Sequence, residues 1–363
     1  MIIITSCCLL IYLILIIGLI RGNQKLLRID TNKLNNVPFV SIIVPFRNEK
    51  DNLTTLLEAL KCQDYPEDRY EVLFVDDHSE DGSVELMKEL ILLTKRLFFL
   101  HQLKLNQGKK EAIKRGIAEA KGDLILTTDA DCRMKVSWLT TMVESYQTND
   151  ADFIIGPVFI KGGGISFQSI EFASIISVTS GSAGIERPLI CNGANLGFKK
   201  SVFEQLNPYE RNKKELSGDD VFFLHELKNS IDNAKINFVT SEKALVQTSA
   251  ITGVSDFLNQ RTRWAKKSRL YRDRDSLLTG AVITLMNSII LLHFFRCNWI
   301  ILGLLFIIKF SLDLGLLLSA RKWIGLKLIT INALFLSLLY PFYFIIFALL
   351  SLLYKPKWKG RKT

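Results

Sequence analysis

The chain has 363 residues and a formal net charge of +10, with 46 Lys and Arg against 36 Asp and Glu. Hydrophobic residues make up 48% of it, and the mean hydropathy is +0.21 although 23% of the residues are charged. This composition excludes an intrinsically disordered chain, a collagen-like fibre and a small fold held together by disulfides. It indicates a soluble part of ordinary composition joined to apolar membrane segments, and the length favours two or three structural units.

The first apolar segment lies at the N-terminus. Residues 2–20 are uncharged and mostly Ile and Leu, and Arg21, Lys25 and Arg28 follow them. About 20 apolar residues cross a hydrocarbon core, so residues 1–21 are predicted to form a membrane anchor. The segment lacks the basic start and small-residue cleavage site of a signal peptide, so we expect it to be retained. The basic residues on its carboxyl side predict that this side is cytoplasmic.

A second membrane cluster, residues 277–354, is predicted near the C-terminus. Its three apolar segments are residues 277–295, 299–319 and 329–354. Lys309 and Asp313 lie four residues apart in the second segment, and we expect a packing or interfacial pair rather than a transport path. One anchor and three spans would place the basic tail, 355–363, outside, against the positive-inside rule. Either the tail is an exception, or one apolar segment is interfacial or re-entrant.

Two compositional features narrow the possible partners. The six cysteines are scattered without a CxxC pair or a His at metal-ligand spacing, so neither a zinc site nor a disulfide framework is indicated. Reduced thiols fit a cytoplasmic domain. Much of the positive charge lies in the juxtamembrane segment 255–276, where basic residues are typical of contacts with anionic lipid. We therefore expect a lipid bilayer as a partner and no nucleic acid.

The residues between the membrane segments, 22–254, are predicted to form one α/β domain. Buried strands are predicted at residues 39–44, 70–75 and 123–128, and amphipathic helices at 52–61, 83–95 and 109–120. This alternation predicts a mostly parallel sheet with helices on both faces. Ligands bind such sheets at the carboxyl ends of the strands. All three predicted strands end there in polar, mostly acidic residues.

The third predicted strand is followed by Asp129, Ala130 and Asp131. Carboxylate oxygens bind Mg²⁺ and Mn²⁺, which bridge to phosphates, although a local bend is needed before both side chains reach one ion. The alternative is a turn that leads into a helix near Ser137. That alternative does not explain why acidic residues occur at every strand end.

The first two strands end in further polar groups. Asp76 and Asp77 are candidates to accept from a nucleotide base or a ribose hydroxyl, or else to cap the next helix. Pro45 is expected to end the first strand, after which Arg47 and Glu49 offer a donor and an acceptor at the same edge.

Two helix starts carry charged residues. Lys109 follows Gly108 at a predicted helix N-terminus, an arrangement that favours an anion such as diphosphate, although it is not a P-loop. Asp219 and Asp220 precede an apolar run, where one carboxylate could act as a general base or both could complement a helix dipole.

Two apolar or basic stretches lie closer to the membrane. Residues 167–178 are apolar and are predicted to lie on the membrane surface or to form a buried helix of the α/β domain, with equal weight. The basic side chains of segment 260–264 suit contacts with anionic lipid. Such contacts do not explain why Gln260 and Trp264 occur beside them.

Together these motifs resemble those of the membrane-bound family 2 glycosyltransferases, which include cellulose, chitin and hyaluronan synthases and ceramide glucosyltransferase. The resemblance covers residues 41–264, and its motifs follow the order of that family. They are VPFRNE (44–49), VDDHS (75–79), GKKEA (108–112), TDAD (128–131), CNGANL (191–196), SGDD (217–220) and QRTRW (260–264).

The resemblance implies a GT-A fold, which is Rossmann-like with a mostly parallel sheet, joined to α-helical transmembrane segments. It implies an inverting, metal-dependent transfer from a nucleotide sugar, by analogy a UDP-sugar, to the hydroxyl of a lipid or lipid-linked glycan. The enzyme would lie in the inner membrane with a cytoplasmic catalytic domain and serve cell-envelope polysaccharide or glycolipid synthesis. The alternative is a processive polysaccharide synthase, and a nucleotidyltransferase or a non-enzymatic membrane scaffold is less favoured.

The resemblance also implies roles for individual residues. Asp220 matches the catalytic base, and Asp129 and Asp131 match the D-x-D that holds Mg²⁺ or Mn²⁺. The residues expected to contact the nucleotide sugar are Pro45, Arg47, Glu49, Asp76, Asp77, Lys109 and Asp129. Those expected to contact the acceptor or the diphosphate are Asn192, Asn195, Asp219, Gln260, Arg263 and Trp264. The family often has Glu-Asp where this chain has Asp219 and Asp220, a conservative difference.

Overall fold

The computed structural model describes most of the chain, namely residues 1–26, 37–148, 150–162, 167–212, 218–324, 331–354, 356–358 and 361–362. The chain divides into two compact units. The helical unit comprises Met1–Arg28, Ile160–Ile190 and Ala250–Thr363, and the sheet unit comprises Ile29–Phe159 and Cys191–Ser249.

The regular elements follow in chain order. The helices are α1 (Ile2–Leu26), α2 (Lys50–Lys61), α3 (Ser83–Leu93), α4 (Lys109–Glu119), α5 (Trp138–Gln147), α6 (Phe167–Gly184), α7 (Lys200–Leu206), α8 (Asp219–Ser230), α9 (Val254–Ser268), α10 (Arg274–Phe295), α11 (Trp299–Ile324) and α12 (Ile331–Leu353). The strands are β1 (Val40–Phe46), β2 (Tyr70–Asp76), β3 (Phe98–Gln102), β4 (Leu124–Thr127), β5 (Phe153–Ile155), β6 (Val158–Lys161), β7 (Leu196–Lys199), β8 (Ile236–Phe238), β9 (Val246–Ser249), β10 (Lys357–Trp358) and β11 (Arg361–Lys362).

The sheet unit is built on a seven-stranded sheet in the order β3-β2-β1-β4-β7-β5-β8. Neighbouring strands are parallel except at β7, which runs antiparallel to both β4 and β5. Every residue of β1, β2 and β4 is buried, as expected for parallel strands covered on both faces. The predicted α/β class with a mostly parallel sheet is therefore confirmed.

The predicted strands and helices of this unit are found with small shifts at their ends. In α2 the buried residues are Leu53, Leu56, Leu57 and Leu60, the i, i+3, i+4, i+7 spacing of an amphipathic helix. The expectation that Pro45 ends the first strand is wrong, because β1 continues to Phe46 and Pro45 pairs in register with Val75. The pairing of β1 with β4 stops at Ile43, so no β4 residue lies opposite Pro45 to require its missing N–H.

The reversed strand β7 brings a distant loop to the carboxyl end of β4. Leu196, the first residue of β7, lies opposite Thr127, the last residue of β4. Since the two strands are antiparallel, the segment that precedes Leu196 enters the sheet where β4 ends. Residues 192–195 therefore approach the Asp129–Asp131 turn from 60 residues or more along the chain.

Among the described residues, four helices are long and apolar enough to cross a membrane: Ile2–Leu26, Arg274–Phe295, Trp299–Ile324 and Ala333–Leu353. They correspond to the predicted anchor and three spans, although α1 runs several residues beyond the predicted anchor. Apolar side chains of α1, α10 and α11, among them Tyr12, Leu19 and Met286, form a common core. Residues 329 and 330, at the start of the third predicted segment, and Arg28 lie outside the described part of the chain.

Helix α6 is buried, and it belongs to the helical unit rather than to the sheet unit. Glycines allow α1 and α6 to approach backbone to backbone: a Cβ built on Gly22 would lie 2.0 Å from the carbonyl oxygen of Gly181. Asn23 stabilises this contact, because its Nδ2 donates to the Ser177 carbonyl of α6 at 3.2 Å. The same Nδ2 donates to Ser319 Oγ of α11 at 2.8 Å. The segment is thus a buried helix, as one of the two predictions had it, but the expectation that it belongs to the sheet domain is wrong, because it packs against α1 in the helical unit.

The pair predicted inside the second apolar segment is present. Lys309 Nζ lies 2.5 Å from Asp313 Oδ2, and Tyr12 donates its hydroxyl to the other carboxylate oxygen. The Lys309 ammonium also lies 5.6 Å from the ring centres of Tyr12 and Tyr340. The two charges are thus neutralised among helices, as expected for a packing pair.

Candidate active site

The loops after β1 and β2 are bonded to each other at the carboxyl edge of the sheet. Arg47 Nη1 donates to the carbonyl oxygens of Asp77 and His78 at 2.9 and 2.8 Å. The backbone N–H of Asn48 donates to Ser79 Oγ at 2.9 Å, and Asn48 Oδ1 accepts from the N–H of Glu80 at 2.8 Å. Arg47 therefore holds the two loops together, a structural role beside its predicted contact with a nucleotide.

Asp76 and Asp77 are both buried at this edge. Asp76 Oδ1 accepts from the N–H of Ser79 at 3.0 Å, and Asp77 Oδ1 lies 3.2 Å from His78 Nδ1. The capping alternative applies to a different residue, because Asp81 accepts from the N–H of Ser83 at the start of α3. Burial raises the pKa of Asp81, but its hydrogen bonds from Ser83 and Lys50 outweigh this and lower it.

Glu49 is the residue that precedes α2, and its Oε2 accepts from Asn52 Nδ2 at 2.7 Å within the first turn. Its N–H donates to Ser83 Oγ at 3.0 Å. Glu49 thus contributes to the same bonded pair of loops as Arg47.

The central feature of the site is an ion cluster around Lys109, the first residue of α4. Lys109 Nζ lies 2.6 Å from Asp129 Oδ1 and 3.2 Å from Asp219 Oδ2. The three residues come from the start of α4, the turn after β4 and the start of α8. The structure therefore brings together three residues that were predicted separately and that are up to 110 positions apart.

The carboxylates of this cluster keep its lysine charged. Burial alone would lower the pKa of Lys109, but Asp129, Asp219 and Asp220 raise it above its ordinary value, so the ammonium stays charged. A fixed positive charge among carboxylates at this edge suits an anionic substrate that brings its own cation.

Asp219 and Asp220 begin α8, and Gly218 before them adopts φ +88°, in the left-handed region that favours glycine. Asp220 Oδ1 accepts from the N–H of Val221 at 2.7 Å. Both carboxylates lie in the first turn, so they complement the helix dipole as one alternative predicted. That role does not exclude chemistry, because Asp219 also contacts Lys109. Ser217 of the same motif lies outside the described residues.

Gly193, a residue of the CNGANL motif to which no role was assigned from the sequence, lies among these groups. Gly193 donates its N–H to Asp220 Oδ2 at 3.2 Å and accepts at its carbonyl from Thr127 Oγ1 at 2.9 Å. Membership of the CNGANL motif was a weak signal for Gly193, and no sequence pattern marked Thr127.

Asp131 lies two residues beyond Asp129. Its Oδ2 accepts from Thr248 Oγ1 at 2.8 Å, and Cys132 Sγ lies 3.7 Å from its Oδ1. Burial, with Asp131 and Asp129 nearby, raises the pKa of Cys132, so it is kept as a thiol. Thr248, on β9, was not predicted to belong to the site.

The donor set suits a divalent cation that arrives with a phosphate. Within the described ranges, no group of three or more His, Cys, Asp or Glu is arranged to hold a metal alone. Carboxylate oxygens of Asp129 and Asp131 are nevertheless the donors that Mg²⁺ and Mn²⁺ prefer, and these ions commonly take only one or two carboxylates beside substrate phosphates and water. The hydrogen bond from Thr248 is of the kind that orients a metal-binding carboxylate.

The two asparagines of the CNGANL motif differ in their surroundings. Asn192 Oδ1 accepts from the N–H of Ala194 at 3.0 Å within the loop. Asn195 is fully buried, and its Nδ2 donates to the carbonyls of Pro157 and Ala244 at 2.8 and 2.9 Å. Its Oδ1 accepts from Trp138 Nε1 at 2.9 Å. Through these hydrogen bonds Asn195 supports the loop that carries Gly193, a structural role beside its predicted contact with the acceptor or the diphosphate.

Gln260, Arg263 and Trp264 lie on α9, in the helical unit. The residue that organises this segment is Arg261, which the motif treats as variable. Arg261 Nη2 lies 2.6 Å from Glu171 Oε2, and both side chains are over 90% buried. Its guanidinium also bonds to Gln260 and lies 4.4 Å from the Trp264 ring centre.

Comparison with protein families decides the identity of the chain. The family described as Glycosyl transferase family 2 matches residues 41–206, and Glycosyl transferase family group 2 matches residues 124–354, which is more than half of the chain. The chain is a family 2 glycosyltransferase. The scaffold and nucleotidyltransferase alternatives are thereby set aside.

Curated relatives share part of the glycosyltransferase chain. Glycosyltransferase AglE of Haloferax volcanii is 29% identical over 52% of this chain and 60% of its own length. An undecaprenyl-phosphate 4-deoxy-4-formamido-L-arabinose transferase of Edwardsiella ictaluri is 34% identical over 30% of this chain and 34% of its own. A dolichyl N-acetyl-alpha-D-glucosaminyl phosphate 3-beta-D-2,3-diacetamido-2,3-dideoxy-beta-D-glucuronosyltransferase of Methanococcus voltae is 32% identical over 40% of this chain and 46% of its own length. The chain thus matches 60% or less of the length of these relatives.

Among solved structures, the chain resembles the mannosyltransferase PcManGT from Pyrobaculum calidifontis in complex with GDP-Man and Mn²⁺. The TM-score is 0.57 at 16% sequence identity, with 96% of each chain covered. At this identity the likeness concerns the fold. It agrees with a GT-A sheet followed by apolar helices, as the motifs had predicted.

Proposed function

We propose that this glycosyltransferase moves a sugar from a nucleotide sugar to the hydroxyl of a lipid or lipid-linked glycan, with inversion and with Mg²⁺ or Mn²⁺. The observation that carries the proposal is the cluster at the carboxyl edge of the sheet. There Lys109 lies 2.6 Å from Asp129 and 3.2 Å from Asp219, with Asp220 alongside. Such a cluster places a cation that can bind a diphosphate next to a carboxylate that can accept a proton.

Each residue has a defined part in the proposed reaction. Asp220 accepts the proton of the acceptor hydroxyl while the oxygen of that hydroxyl bonds to the anomeric carbon of the sugar. The bond from that carbon to the diphosphate breaks on the opposite side, which inverts the configuration. Lys109 stabilises the negative charge on the departing nucleoside diphosphate. A divalent cation held by Asp129 and Asp131 would supply further charge neutralisation there.

The acceptor class is suggested by the relatives whose names specify undecaprenyl-phosphate or dolichyl substrates. A lipid-borne acceptor also suits a chain with four helices long enough to span a membrane. The donor nucleotide is UDP by family analogy, and GDP is the alternative, since PcManGT was solved with GDP-Man. We propose that transfer occurs on the cytoplasmic side of the cell membrane.

Product analysis tests the overall proposal. The full chain in lipid nanodiscs is supplied with UDP- and GDP-sugars, Mn²⁺ and an extract of polyisoprenoid lipids, and the lipid products are identified by mass spectrometry. We expect one added sugar per acceptor with inverted anomeric configuration. A ladder of products would support the processive alternative instead, and retention of configuration would contradict the mechanism.

Replacement of Asp220 distinguishes a hydroxyl acceptor from a phosphate acceptor. We expect Asp220→Asn to reduce transfer at least a thousandfold while nucleotide binding stays within about twofold, because a hydroxyl needs a base. A phosphate oxygen is largely ionised at neutral pH and needs none. Substantial turnover in Asp220→Asn would therefore exclude the base and favour a lipid phosphate acceptor. Asp68→Asn, at an exposed loop carboxylate, is the matched control.

The metal assignment has a test that does not depend on turnover. Calorimetry with UDP, and separately with GDP, is done with and without Mn²⁺. We expect Mn²⁺ to tighten nucleotide binding at least tenfold, and Asp131→Asn to abolish that gain while metal-free binding persists. Equal affinity with and without Mn²⁺ would contradict the assignment.

The proposed orientation can be checked with two native cysteines. Cys62 lies in the sheet unit and Cys297 between α10 and α11, and both are exposed. Two variants are made, and each keeps only one of these two cysteines as its solvent-accessible cysteine. A membrane-impermeant maleimide applied to intact cells should label Cys297 and spare Cys62. The opposite pattern would reverse the orientation.

A further inference from the structure

The loop at Gly193 ties Asp220 to the central sheet. Thr127, the last residue of β4, is 3% exposed and donates its hydroxyl to the Gly193 carbonyl at 2.9 Å. The N–H of the same glycine donates to Asp220 Oδ2 at 3.2 Å. Two hydrogen bonds in series therefore join a buried strand to the candidate base.

The same glycine lies directly against the ion cluster. A Cβ on Gly193 would lie 2.8 Å from Asp219 Oδ2 and 3.0 Å from Lys109 Nζ. Real Cβ atoms essentially never lie within 3.0 Å of another heavy atom, so a side chain here would shift the ends of the Asp219 and Lys109 side chains. Gly193 is thus the point where the base and the Lys109 ion pairs meet.

Both halves of the site consequently depend on one strand end. Asp129, the candidate metal ligand that pairs with Lys109, follows Thr127 by two residues. Asp220, which would act on the acceptor, is held to Thr127 through Gly193. A fixed strand end would keep the donor side and the acceptor side at a constant separation, as in-line displacement requires.

We propose that Thr127 and Gly193 are positioning residues that hold Asp220 in place for proton abstraction before the acceptor arrives. Neither residue needs to touch the substrate. The proposal rests on the role of Asp220 given under Proposed function, and it predicts a loss in kcat rather than in donor binding when the Thr127 hydroxyl is removed.

The main test replaces Thr127 by an isosteric residue without a hydroxyl. In Thr127→Val we expect kcat for transfer to fall ten- to a hundredfold, since small misplacements of reacting groups cost about this much. The donor KM and the nucleotide affinity should stay within about twofold. Thr127→Ser keeps the hydroxyl and should restore most of kcat. Wild-type kcat in Thr127→Val would overturn the proposal.

A matched control separates positioning from a general loss of buried hydrogen bonds. Thr141 is also buried in the sheet unit, and its hydroxyl bonds to the Ser137 carbonyl within the helix α5 region. Thr141→Val should leave kcat and the donor KM unchanged. If it lowered kcat as much as Thr127→Val does, the effect would be structural and the proposal wrong.

Combination with Asp220→Asn shows whether Thr127 acts through the base. Residues that work as a unit are non-additive, so Thr127→Val should cause no further loss in an Asp220→Asn background. A further tenfold loss would overturn the positioning role. An inactive Asp220→Asn beside a fully active Thr127→Val would refute this proposal alone. An active Asp220→Asn would refute both the base and its positioning.

Gly193→Ala provides a second variant in case Thr127→Val does not fold. Because the added methyl meets Asp219 and Lys109 as well, this change should lower both kcat and nucleotide affinity, by at least tenfold each. Circular dichroism and thermal unfolding of the full chain establish that the variant is folded. A folded Gly193→Ala with wild-type kinetics would contradict the geometry on which the proposal depends.

Discussion

The buried pair of Arg261 and Glu171 allows a quantitative prediction about the helical unit. Arg261 donates from Nε and Nη2 to Glu171 Oε2 at 2.9 and 2.6 Å, and its Nε also lies 3.2 Å from the Tyr343 hydroxyl. The two charged side chains are 2% and 7% exposed. The change considered is Arg261→Met, which keeps an unbranched apolar side chain beside Phe257 and Trp264 but removes the charge.

The expected magnitude follows from what remains after the substitution. Glu171 would stay buried with Tyr343 as its hydrogen-bond donor and with no positive partner. Breaking a buried ion pair on one side costs about 3–5 kcal/mol, because an uncompensated charge is left in a medium of low dielectric. The ratio of folded to unfolded protein would therefore fall by about two to four orders of magnitude.

The measurement is equilibrium unfolding of the full chain in mixed micelles, followed by ellipticity. The exposed pair of Lys25 and Glu186, with side chains 58% and 81% exposed, gives a matched control. Lys25→Met should cost less than about 1 kcal/mol, since solvent screens such a pair. The double change Glu171→Leu with Arg261→Met should recover most of the loss, because no buried charge remains.

Two results would refute this reasoning. One is an Arg261→Met variant within about 1 kcal/mol of the wild type, which would mean that water reaches Glu171. The other is a double variant less stable than either single variant, which would mean that the pair contributes packing rather than charge compensation.

The remaining predictions concern the ion cluster and the glycine contact. Lys109→Met should weaken nucleotide binding at least tenfold in calorimetry, because the carboxylates around it lose their cation; unchanged affinity would place the diphosphate elsewhere. The raised pKa of Lys109 means that its stabilising effect is complete below its unfolded pKa, about 10.4, and is lost as the pH rises further. The stability difference between wild type and Lys109→Met should thus be constant from pH 7 to about 9 and shrink above about pH 10.4. Gly22→Ala should destabilise the helical unit by about 1–3 kcal/mol or more, since its Cβ would meet the Gly181 carbonyl. Gly18→Ala on the same helix has open space within 4 Å and should change stability by less than about 0.5 kcal/mol.

Local patterns were sufficient for the elements that define the architecture. The β-branched and apolar runs before Pro45, Asp76 and Asp129 form β1, β2 and β4, because strands buried on both faces need continuous apolar sequence. The spacing of apolar residues predicted α2, α3 and α4 because it repeats with the helical period. The long apolar runs predicted the spanning helices for the same local reason.

Short or irregular elements were not predictable in this way. Strands β5, β7 and β8 have three or four residues each, too few for a pattern of their own. Their places in the sheet depend on pairing with distant strands. The antiparallel pairing of β7 with β4 is what brings Gly193 to Thr127, 66 residues earlier in the chain.

The candidate site likewise has features that the sequence predicted and features that it did not. The acidic residues at the strand ends and Lys109 at a helix start were predicted from the sequence, because parallel strands direct their carboxyl ends to one edge. Their pairing was not, since it depends on which helix starts converge. Thr127 and Thr248 carry no charge, Gly193 is one residue of a motif, and Arg261 lies at a position that the QxxRW motif leaves variable, so only their contacts reveal their parts.

The amino-acid sequence by itself thus determined the class of fold, the apolar segments and the candidate residues for binding phosphate or metal, because these depend on composition and on periods of a few residues. The tertiary structure decided which carboxylates Lys109 pairs with, which backbone group bonds to Asp220, and which arginine is buried with Glu171. These contacts join residues 20 to 110 positions apart. Their geometry is set by the packing of whole elements, which no local pattern encodes.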